Sequence, residues 1–469
     1  MALFAFELPA EWPPGAQTGL ERAWIAGGYD GVPVPVRRRV DGQTLVLTRE
    51  ENESGSLSMP WPVQGESRIV TTSTLRLRPE PYHLAIELAR GSVNRARNLH
   101  FALQSAAIPA PPILQADLAE VSRAFGRAAL AADPAVRDAH AVVVIEAASR
   151  LADRLTGALT RYRIESRLKH KQPLPTLLGC RLSSPLPPEE AEEYARAFNA
   201  VRIVPNWKQI EKEEADFNWS QIDPLVRWAQ VAGLTVSLGP LVDLSPETTP
   251  DWILASAGNF LDLSAFYSDF IGTLVSRYRA ECRHWELFSG FNQGDGLGLG
   301  EDDRLRLAAR LLETTREVDP QAKWSFGLQQ PWGDYLLDPS LSYSPLGYAD
   351  TLLRSGFEVS ALELDLTSGP APRGSLPRDP LDVLQLLERF DPLNCPLDIT
   401  LAAPLADDAG LALATVEALI ASPSVRAVFW DSWSVAHSHA ITPRAELYPD
   451  SPERRALGWF REARSRWLR

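Results

Sequence analysis

The segment HWELFSGFNQGD, residues 284–295, carries the pattern that decides the fold. Its first half, WELF, is mostly apolar and has the length of a buried β-strand, and a loop rich in Gly, Asn and Gln follows at once. In parallel α/β folds the binding and catalytic groups collect where strands give way to such loops. We therefore expect Glu286, Asn292 and Asp295 at a functional site.

Strand-like and helix-like segments alternate from Thr176 onward, as in a parallel α/β domain. Helix candidates such as EDDRLRLAARLLETTREVDP carry acids in the first turn. Eight strand candidates lie between the helices, and eight units in about 290 residues predict a (β/α)8 barrel of the α/β class. A doubly wound open sheet is the alternative, but no Gly-rich dinucleotide turn supports it. The candidates are TLLGCRL at 176, FNAVRIV at 198, GLTVSLGPL at 233, CRHWELF at 282, AKWSFGLQ at 322, SALELDL at 360, CPLDITLAA at 395 and VRAVFW at 425.

Two further regions precede the barrel, which we place at residues 173–469. Residues 1–107 contain short alternating segments such as TLVLT and RIVTTSTLRLR, separated by Gly, Pro and Asp. This pattern predicts a β-rich accessory domain, with a β-sandwich as one arrangement. Residues 108–172 open with IPAPPILQ and continue in two periodic stretches rich in Ala, Leu and Arg, which predict a helical linker.

Composition excludes several functional classes. The chain has 469 residues, is 45% apolar and 23% charged, and can therefore bury a large core. Its formal charge of −13 would repel a phosphate backbone, so we expect no nucleic-acid partner. The three cysteines, at 180, 282 and 395, are odd in number and lack metal-ligand spacing. We expect buried thiols, no metal and no cofactor.

The first residues, MALFAFELPAEWPP, show neither a basic n-region nor a sustained apolar h-region. Apolar runs elsewhere stay shorter than the ~18 residues that a membrane span needs. From the sequence as written we expect a soluble, cytoplasmic protein with no membrane association. Removal of a signal segment would leave the same appearance, so export stays open.

Several stretches resemble the xylanases of glycoside hydrolase family 10, over residues 176–469. WELF is similar to the W-D-V-V of the family's fourth strand, TPDWI to its P-x-W segment, and PLDIT to the K-I-x-I-T of its seventh strand. The family's eighth strand begins V-x-x-V-x-W, and VRAVFW from residue 425, with FW at 429–430, follows this pattern. The W-x-x-x-E…F-x-W spacing is kept by Trp207, Glu211, Phe217 and Trp219. The resemblance implies a retaining-glycosidase scaffold that recognises β-linked polysaccharide or oligosaccharide.

The chain differs from this family at the positions of the two catalytic residues. The family's fourth strand ends in Asn-Glu, whose Glu is the acid/base, whereas this chain has Ser289 and Gly290. Leu401 stands where the nucleophilic Glu follows I-T on the seventh strand. Retaining hydrolysis uses two carboxyl groups about 5 Å apart. The resemblance therefore implies a barrel without the usual catalytic pair.

Further departures affect sugar binding. Arg202, Ile203 and Asn206 stand where the family carries Glu-Asn and Lys, and Pro240 and Asp243 stand near the positions of its His and Trp. Carboxylates accept hydrogen bonds from sugar hydroxyl groups, and flat aromatic rings pack on pyranose faces. The expected mouth carboxylates are Asp243, Glu286, Asp295, Asp334, Glu363, Asp365 and Asp431. The expected aromatic and amide partners are Asn206, Trp207, Trp252, Asn292, Trp332, Trp430 and Trp433.

The segment LELD at 362–365 admits two registers. In the first it is the sixth strand, with Glu363, Asp365 and Thr367 pointing into the barrel and the leucines outward. In the second it is the family's T-E-L-D nucleophile strand, which would make Glu363 the nucleophile. Three functions follow as hypotheses: a glycan-binding relative without the usual catalysis, an active glycosidase using relocated carboxylates such as Glu363 or Asp365, and a non-catalytic interaction scaffold.

Overall fold

The structure is a computed structural model. It describes the whole chain except residues 1, 29, 171, 295–296, 370–373, 403–409, 432, 434–451 and 469, and except the side chains of 452–455. The chain divides into two compact units. The first unit comprises Met1–Ser166, Trp332–Ser340 and Leu376–Gln385. The second, which we call the barrel unit, comprises Arg167–Pro331, Leu341–Ser375 and Leu386–Arg469.

The first unit contains two four-stranded sheets, with strand orders β4-β5-β1-β8 and β3-β2-β6-β7. Neighbouring strands pair antiparallel except for β1 and β8, which are parallel. Alternation of buried and half-buried residues along Thr44–Arg49 gives one sheet face to the core. The strands are β1 Ala2–Glu7, β2 Trp24–Gly27, β3 Val32–Val34, β4 Arg37–Asp41, β5 Thr44–Arg49, β6 Ser56–Val63, β7 Glu66–Thr71 and β8 Tyr82–His83.

Three long helices follow these sheets: α1 Leu84–Ser105, α2 Pro112–Leu130 and α3 Pro134–His170. Pro112 begins α2, where its missing N–H would have no intrahelical acceptor. The apolar positions of α1 are buried over most of its length, and Leu84, Leu88 and Ala96 are fully buried. The two periodic stretches that predicted helices after residue 108 are helical, as α2 and α3.

The barrel unit contains a closed eight-stranded parallel barrel, in the order β10-β11-β12-β13-β14-β15-β16-β9. Each sequence candidate supplies one strand, and the (β/α)8 prediction is confirmed. The barrel is closed by the pairing of β16 with β9. The strands are β9 Leu177–Leu182, β10 Ala200–Ile203, β11 Thr235–Leu238, β12 His284–Ser289, β13 Lys323–Gln329, β14 Ala361–Asp365, β15 Leu397–Leu401 and β16 Val425–Trp430.

Helices follow the strands on the outside of the barrel, as their apolar faces require. Asn259 caps α7 by accepting from two backbone N–H groups, and acids fill the first turn of α8. The helices are α4 Pro188–Ala197, α5 Trp207–Ile210, α6 Ile222–Val231, α7 Phe260–Tyr278, α8 Glu301–Val318, α9 Pro345–Arg354, α10 Pro380–Phe390, α11 Gly410–Ala421 and α12 Pro452–Ala463. Short 3-10 helices span Gln17–Arg22, Asp251–Ser256, Asp334–Leu337 and Asp391–Leu393, and a π-helical turn spans Arg464–Leu468.

The strand count decides the register of LELD. Counting from β9, the strand Ala361–Asp365 is the sixth of the barrel and Leu397–Leu401 is the seventh. The alternative register, in which LELD is the seventh strand and Glu363 the family's nucleophile, is therefore wrong. Within the part of the chain that the structure describes, no helix has the length and apolar character to cross a membrane.

Candidate functional site

A single arginine organises the polar interior of the barrel. Arg202, on β10, is 1% exposed, and its Nη1 lies 2.5 Å from Glu363 Oε2 and 3.1 Å from Glu286 Oε2. Its Nη2 lies 3.7 Å from Asp398 Oδ2. These carboxylates come from β12, β14 and β15, so they can meet one guanidinium only inside the barrel. The inward orientation predicted for Glu363 from strand alternation agrees with this geometry.

Other contacts satisfy the rest of this cluster. Arg202 Nε donates to Ser237 Oγ at 3.3 Å, and the guanidinium carbon lies 3.9 Å from the centre of the Phe429 ring. Thr400 donates its hydroxyl to Glu363 Oε1 at 2.6 Å. Asp398 also pairs with Arg426, which donates from Nε at 2.8 Å. Buried charges are tolerated when they are paired in this way.

Burial shifts the protonation equilibria of these groups. Burial and then the charge of Glu363 raise the pKa of Glu286 to about 8. Burial also raises the pKa of Glu363, against the opposing effect of Arg202. Burial alone would lower the pKa of Arg202, but the carboxylates outweigh it and raise that pKa. At neutral pH Glu286 is therefore protonated, and it lies beside the charged guanidinium of Arg202.

Gly327 on β13 makes room for the Glu286 carboxyl. A Cβ at this position would lie 2.5 Å from Glu286 Oε1 and 2.6 Å from Ser289 Oγ. The ladder between β12 and β13 also shifts register between Glu286 and Ser289. The end of the fourth barrel strand is thus irregular directly before Gly290.

The two expected catalytic positions carry no acid. Gly290 has φ of +76°, the left-handed region that side chains rarely adopt, and a Cβ there would lie 2.9 Å from Gln329 Oε1. Leu401 ends β15 and is 4% exposed. The backbone at Gly290, in addition to its missing side chain, disfavours a glutamate.

A second polar group lies at the carboxyl ends of the strands. Arg181 on β9 donates from Nη1 to Asp431 Oδ1 at 2.9 Å, directly after β16. Asp365, the last residue of β14, accepts from the backbone N–H of Thr367 at 2.9 Å. Burial raises the pKa of Asp365, and the charge of Arg181 opposes that increase.

The tryptophans are packed in the core. Trp207 is 2% exposed, stacks on Phe270 at 4.5 Å and donates to Glu211 Oε2 at 2.6 Å. Trp430 is 1% exposed and contacts Phe460 of α12 edge-on. Trp433 is 5% exposed, and its indole N–H donates to Glu190 Oε2 at 3.0 Å.

Trp332 belongs to the first unit, where it is 7% exposed and lies under the Arg378 guanidinium. The expectation that Trp332 and Trp430 offer their rings to a sugar is wrong, because both rings fill core space. Asp334, in the same unit, accepts from Arg378 at 3.0 Å. Trp252 is partly buried and donates to the Glu211 carbonyl at 3.2 Å.

The remaining expected binding residues have structural hydrogen bonds. Asn206 caps α5 by accepting from Gln209 N at 3.2 Å. Asp243 accepts from Ser245 N at 2.7 Å within a turn. Asn292 is 1% exposed and exchanges two hydrogen bonds with the backbone of Gln329, at 2.9 and 3.1 Å. Asp295 lies outside the described residues.

Sequence reasoning missed two site residues, Arg181 and Asp398. Asp398 lies in the apolar run PLDIT, and Arg181 in LLGCRL, where each is a single charge in an apolar strand. A lone charge at an inward position of a barrel strand was the available signal, since such a group needs a partner. Among the described residues, no group of three or more His, Cys, Asp and Glu has an arrangement suited to a metal ion.

The fold and the polar strand ends define the class of protein: a (β/α)8 barrel with ionisable groups inside and at the carboxyl face, where enzymes of this fold place their sites. Residues 183–292 match the model of Glycosyl hydrolase family 10. That segment begins directly after β9 and runs through β12, and over it the chain is similar to this family.

Individual relatives agree with this match. Endo-1,4-beta-xylanase A of Fusarium oxysporum f. sp. lycopersici is 29% identical over 90 residues, which cover 19% of this chain and 27% of the relative. The chain thus matches about a quarter of that protein's length.

Solved structures with a similar fold include xylanase 10B of Thermotoga maritima, at 16% identity and a TM-score of 0.48, covering 64% of this chain and 98% of that one. Xylanase 10B of Thermotoga petrophila RKU-1, in complex with xylobiose, has 16% identity and a TM-score of 0.47, covering 65% and 97%.

Proposed function

We propose that the barrel recognises a β-linked, xylan-type glycan without hydrolysing it by the retaining double displacement. The glycan class is supported by the family match over residues 183–292 and by the xylanase name of the Fusarium relative. The carboxyl face of the barrel is where this fold binds substrates.

The observation that carries the proposal is the pairing of Arg202 with Glu286 and Glu363. A retaining enzyme needs one carboxylate free to attack the anomeric carbon and one acid that can reach the glycosidic oxygen. Here the carboxyl groups of Glu286 and Glu363 are 3% and 1% exposed and share a guanidinium nitrogen. They stabilise the buried arginine and present no oxygen to a sugar.

The positions that align with the family's pair support the same conclusion. Gly290 has no proton to donate, and Leu401 cannot attack carbon. Losing general acid catalysis alone typically lowers the rate by about 10²- to 10⁴-fold. Ground-state binding of hydroxyl groups requires neither residue, so recognition can persist without turnover.

The experiment pairs two measurements on the same preparation. Reducing-sugar release from xylan and from other β-linked glycans is expected to stay at background, while calorimetry with xylohexaose is expected to give measurable binding. Turnover that Glu363→Gln or Asp365→Asn abolishes would overturn the proposal. Absence of both turnover and binding would leave the interaction scaffold as the remaining hypothesis.

One observation favours a second candidate, an active glycosidase that uses the Glu286 and Glu363 pair. The raised pKa of Glu286, about 8, would keep it protonated at neutral pH, which is the state that a glycosidase's general acid needs. The burial of both carboxyls argues against this use. A bell-shaped pH–rate profile on an aryl xyloside, lost in Glu286→Gln, would support it.

A further inference from the structure

Among the residues that the structure describes, several buried polar atoms at the carboxyl ends of the barrel strands have no hydrogen-bond partner. They include Arg181 Nε on β9, Gln293 Nε2 after β12 and Ser375 Oγ after β14. Gln293 is 8% exposed and Ser375 is 1% exposed. Because nearly all buried polar groups in folded proteins are paired, unpaired ones at a binding face point to a polar ligand.

Among the described residues, Arg181 is a charged group of this face with an unpaired donor, Nε. Its side chain is 17% exposed, and the structure gives it one ion pair, from Nη1 to Asp431 Oδ1 at 2.9 Å. Asp431 has a 26% exposed side chain. After Asp431, the charges of Glu286, Asp365 and Glu363 act on Arg181, and the charges of Arg181 and Asp431 act on Asp365. The ends of β9, β14 and β16 thus place one guanidinium and two carboxylates at the same face of the barrel.

This combination suits neutral hydroxyl groups better than ions. One positive charge beside two carboxylates leaves no net positive charge for an acidic ligand. A guanidinium offers several donors in a fixed plane, and carboxylates accept from hydroxyl protons, so the three groups can hold adjacent hydroxyls of one ring. The donor left free on Arg181 would then gain a partner.

We propose that Arg181, Asp431 and Asp365 form a subsite that binds the hydroxyl groups of one neutral pyranose unit, with Arg181 as the residue that determines affinity. The inference rests on the proposed glycan recognition and adds the residues and the uncharged sugar class. The subsite residues lie on β9 and β14 and directly after β16. They are separate from the positions where the family carries its catalytic pair.

The test is calorimetric titration of the full chain with xylohexaose, for wild type, Arg181→Lys, Arg181→Met and Asp431→Asn. We expect Arg181→Met and Asp431→Asn to weaken binding at least tenfold. Arg181→Lys should fall between them and wild type, since a point charge replaces the fork. The control is Arg277→Met, which breaks an exposed ion pair with Asp223 on the helices and should leave affinity unchanged. Circular dichroism and thermal melting verify that each variant is folded.

The outcomes separate the two proposals. Wild-type binding that is undiminished in Arg181→Met and Asp431→Asn overturns the subsite and leaves glycan recognition standing. No wild-type binding to neutral xylo-oligosaccharides overturns both. Tighter binding to glucuronic-acid-substituted oligomers than to xylohexaose, lost in Arg181→Met, contradicts the neutral class and assigns the arginine to a carboxylate instead.

Discussion

Arg202 Nη1 lies 2.5 Å from Glu363 Oε2 in the middle of the barrel, and both side chains are 1% exposed. A full ion pair with this burial is stabilising only while each partner is present. The same guanidinium nitrogen also holds Glu286 at 3.1 Å. Both buried glutamates therefore share one cation.

Removing that cation should destabilise the protein strongly. Arg202→Met is expected to lower the free energy of unfolding by about 3 to 5 kcal/mol, because it leaves buried carboxylates without a partner. Urea denaturation measures the change. The control, Arg277→Met, removes an arginine that is 41% exposed and should cost less than about 1 kcal/mol. If adding Glu286→Gln and Glu363→Gln to Arg202→Met recovers none of the loss, the charge explanation is wrong.

The pH dependence of stability should carry the signature of Glu286. Its pKa is raised from 4.5 to about 8, so between these values the folded state holds a proton that the unfolded state has released. The stabilising contribution is present below pH 4.5 and is lost as pH rises through about 8. Relative to Glu286→Gln, wild type should lose at most about 1.4 kcal/mol per pH unit in this range. Denaturation at pH 5 to 8 measures this loss. If the stability of wild type relative to Glu286→Gln rises with pH in this range, the raised pKa of Glu286 is contradicted.

Restoring an acid at the family position should fail. Gly290→Glu places a side chain at φ of +76° and its Cβ 2.9 Å from Gln329 Oε1, so a loss of about 1 to 2 kcal/mol is expected, without xylosidase activity. Gly458→Glu is the matched control: Gly458 lies in helix α12 with nothing near its Cβ position, and stability should hold or rise. Thermal melting and aryl-xyloside hydrolysis test both. A stable, active Gly290→Glu protein would show that the scaffold lacks only the side chain.

Trp207, which was predicted from the sequence to pack on a sugar, should behave as a core residue. Trp207→Ala is expected to cost about 3 to 5 kcal/mol of stability, since the ring is 2% exposed and stacks on Phe270. Leu261→Ala, at a side chain that is 76% exposed, should change stability by less than about 0.5 kcal/mol. Urea denaturation compares them. A stable Trp207→Ala protein with weakened glycan binding would show instead that this ring contacts the glycan.

The sequence predicted the fold well because strand and helix patterns are local. All eight strands appear in the apolar runs that predicted them, and Glu363 faces inward as alternation required. The site was predicted less well because it depends on contacts between distant strands. The partnership of Arg202 with residues on β12, β14 and β15 has no local signal, and a tryptophan at a strand end has the same sequence pattern whether it faces ligand or core.

The most direct test of the central claim is intact-protein mass spectrometry after incubation with a 2-deoxy-2-fluoro-β-xyloside that bears a good leaving group. Such a compound traps the glycosyl–carboxylate intermediate of a retaining enzyme, because the fluorine slows its hydrolysis. The paired carboxylates around Arg202 predict an unchanged mass after prolonged incubation. A stoichiometric adduct that peptide mapping places on Glu363 or Asp365 would contradict the account and identify an active retaining glycosidase.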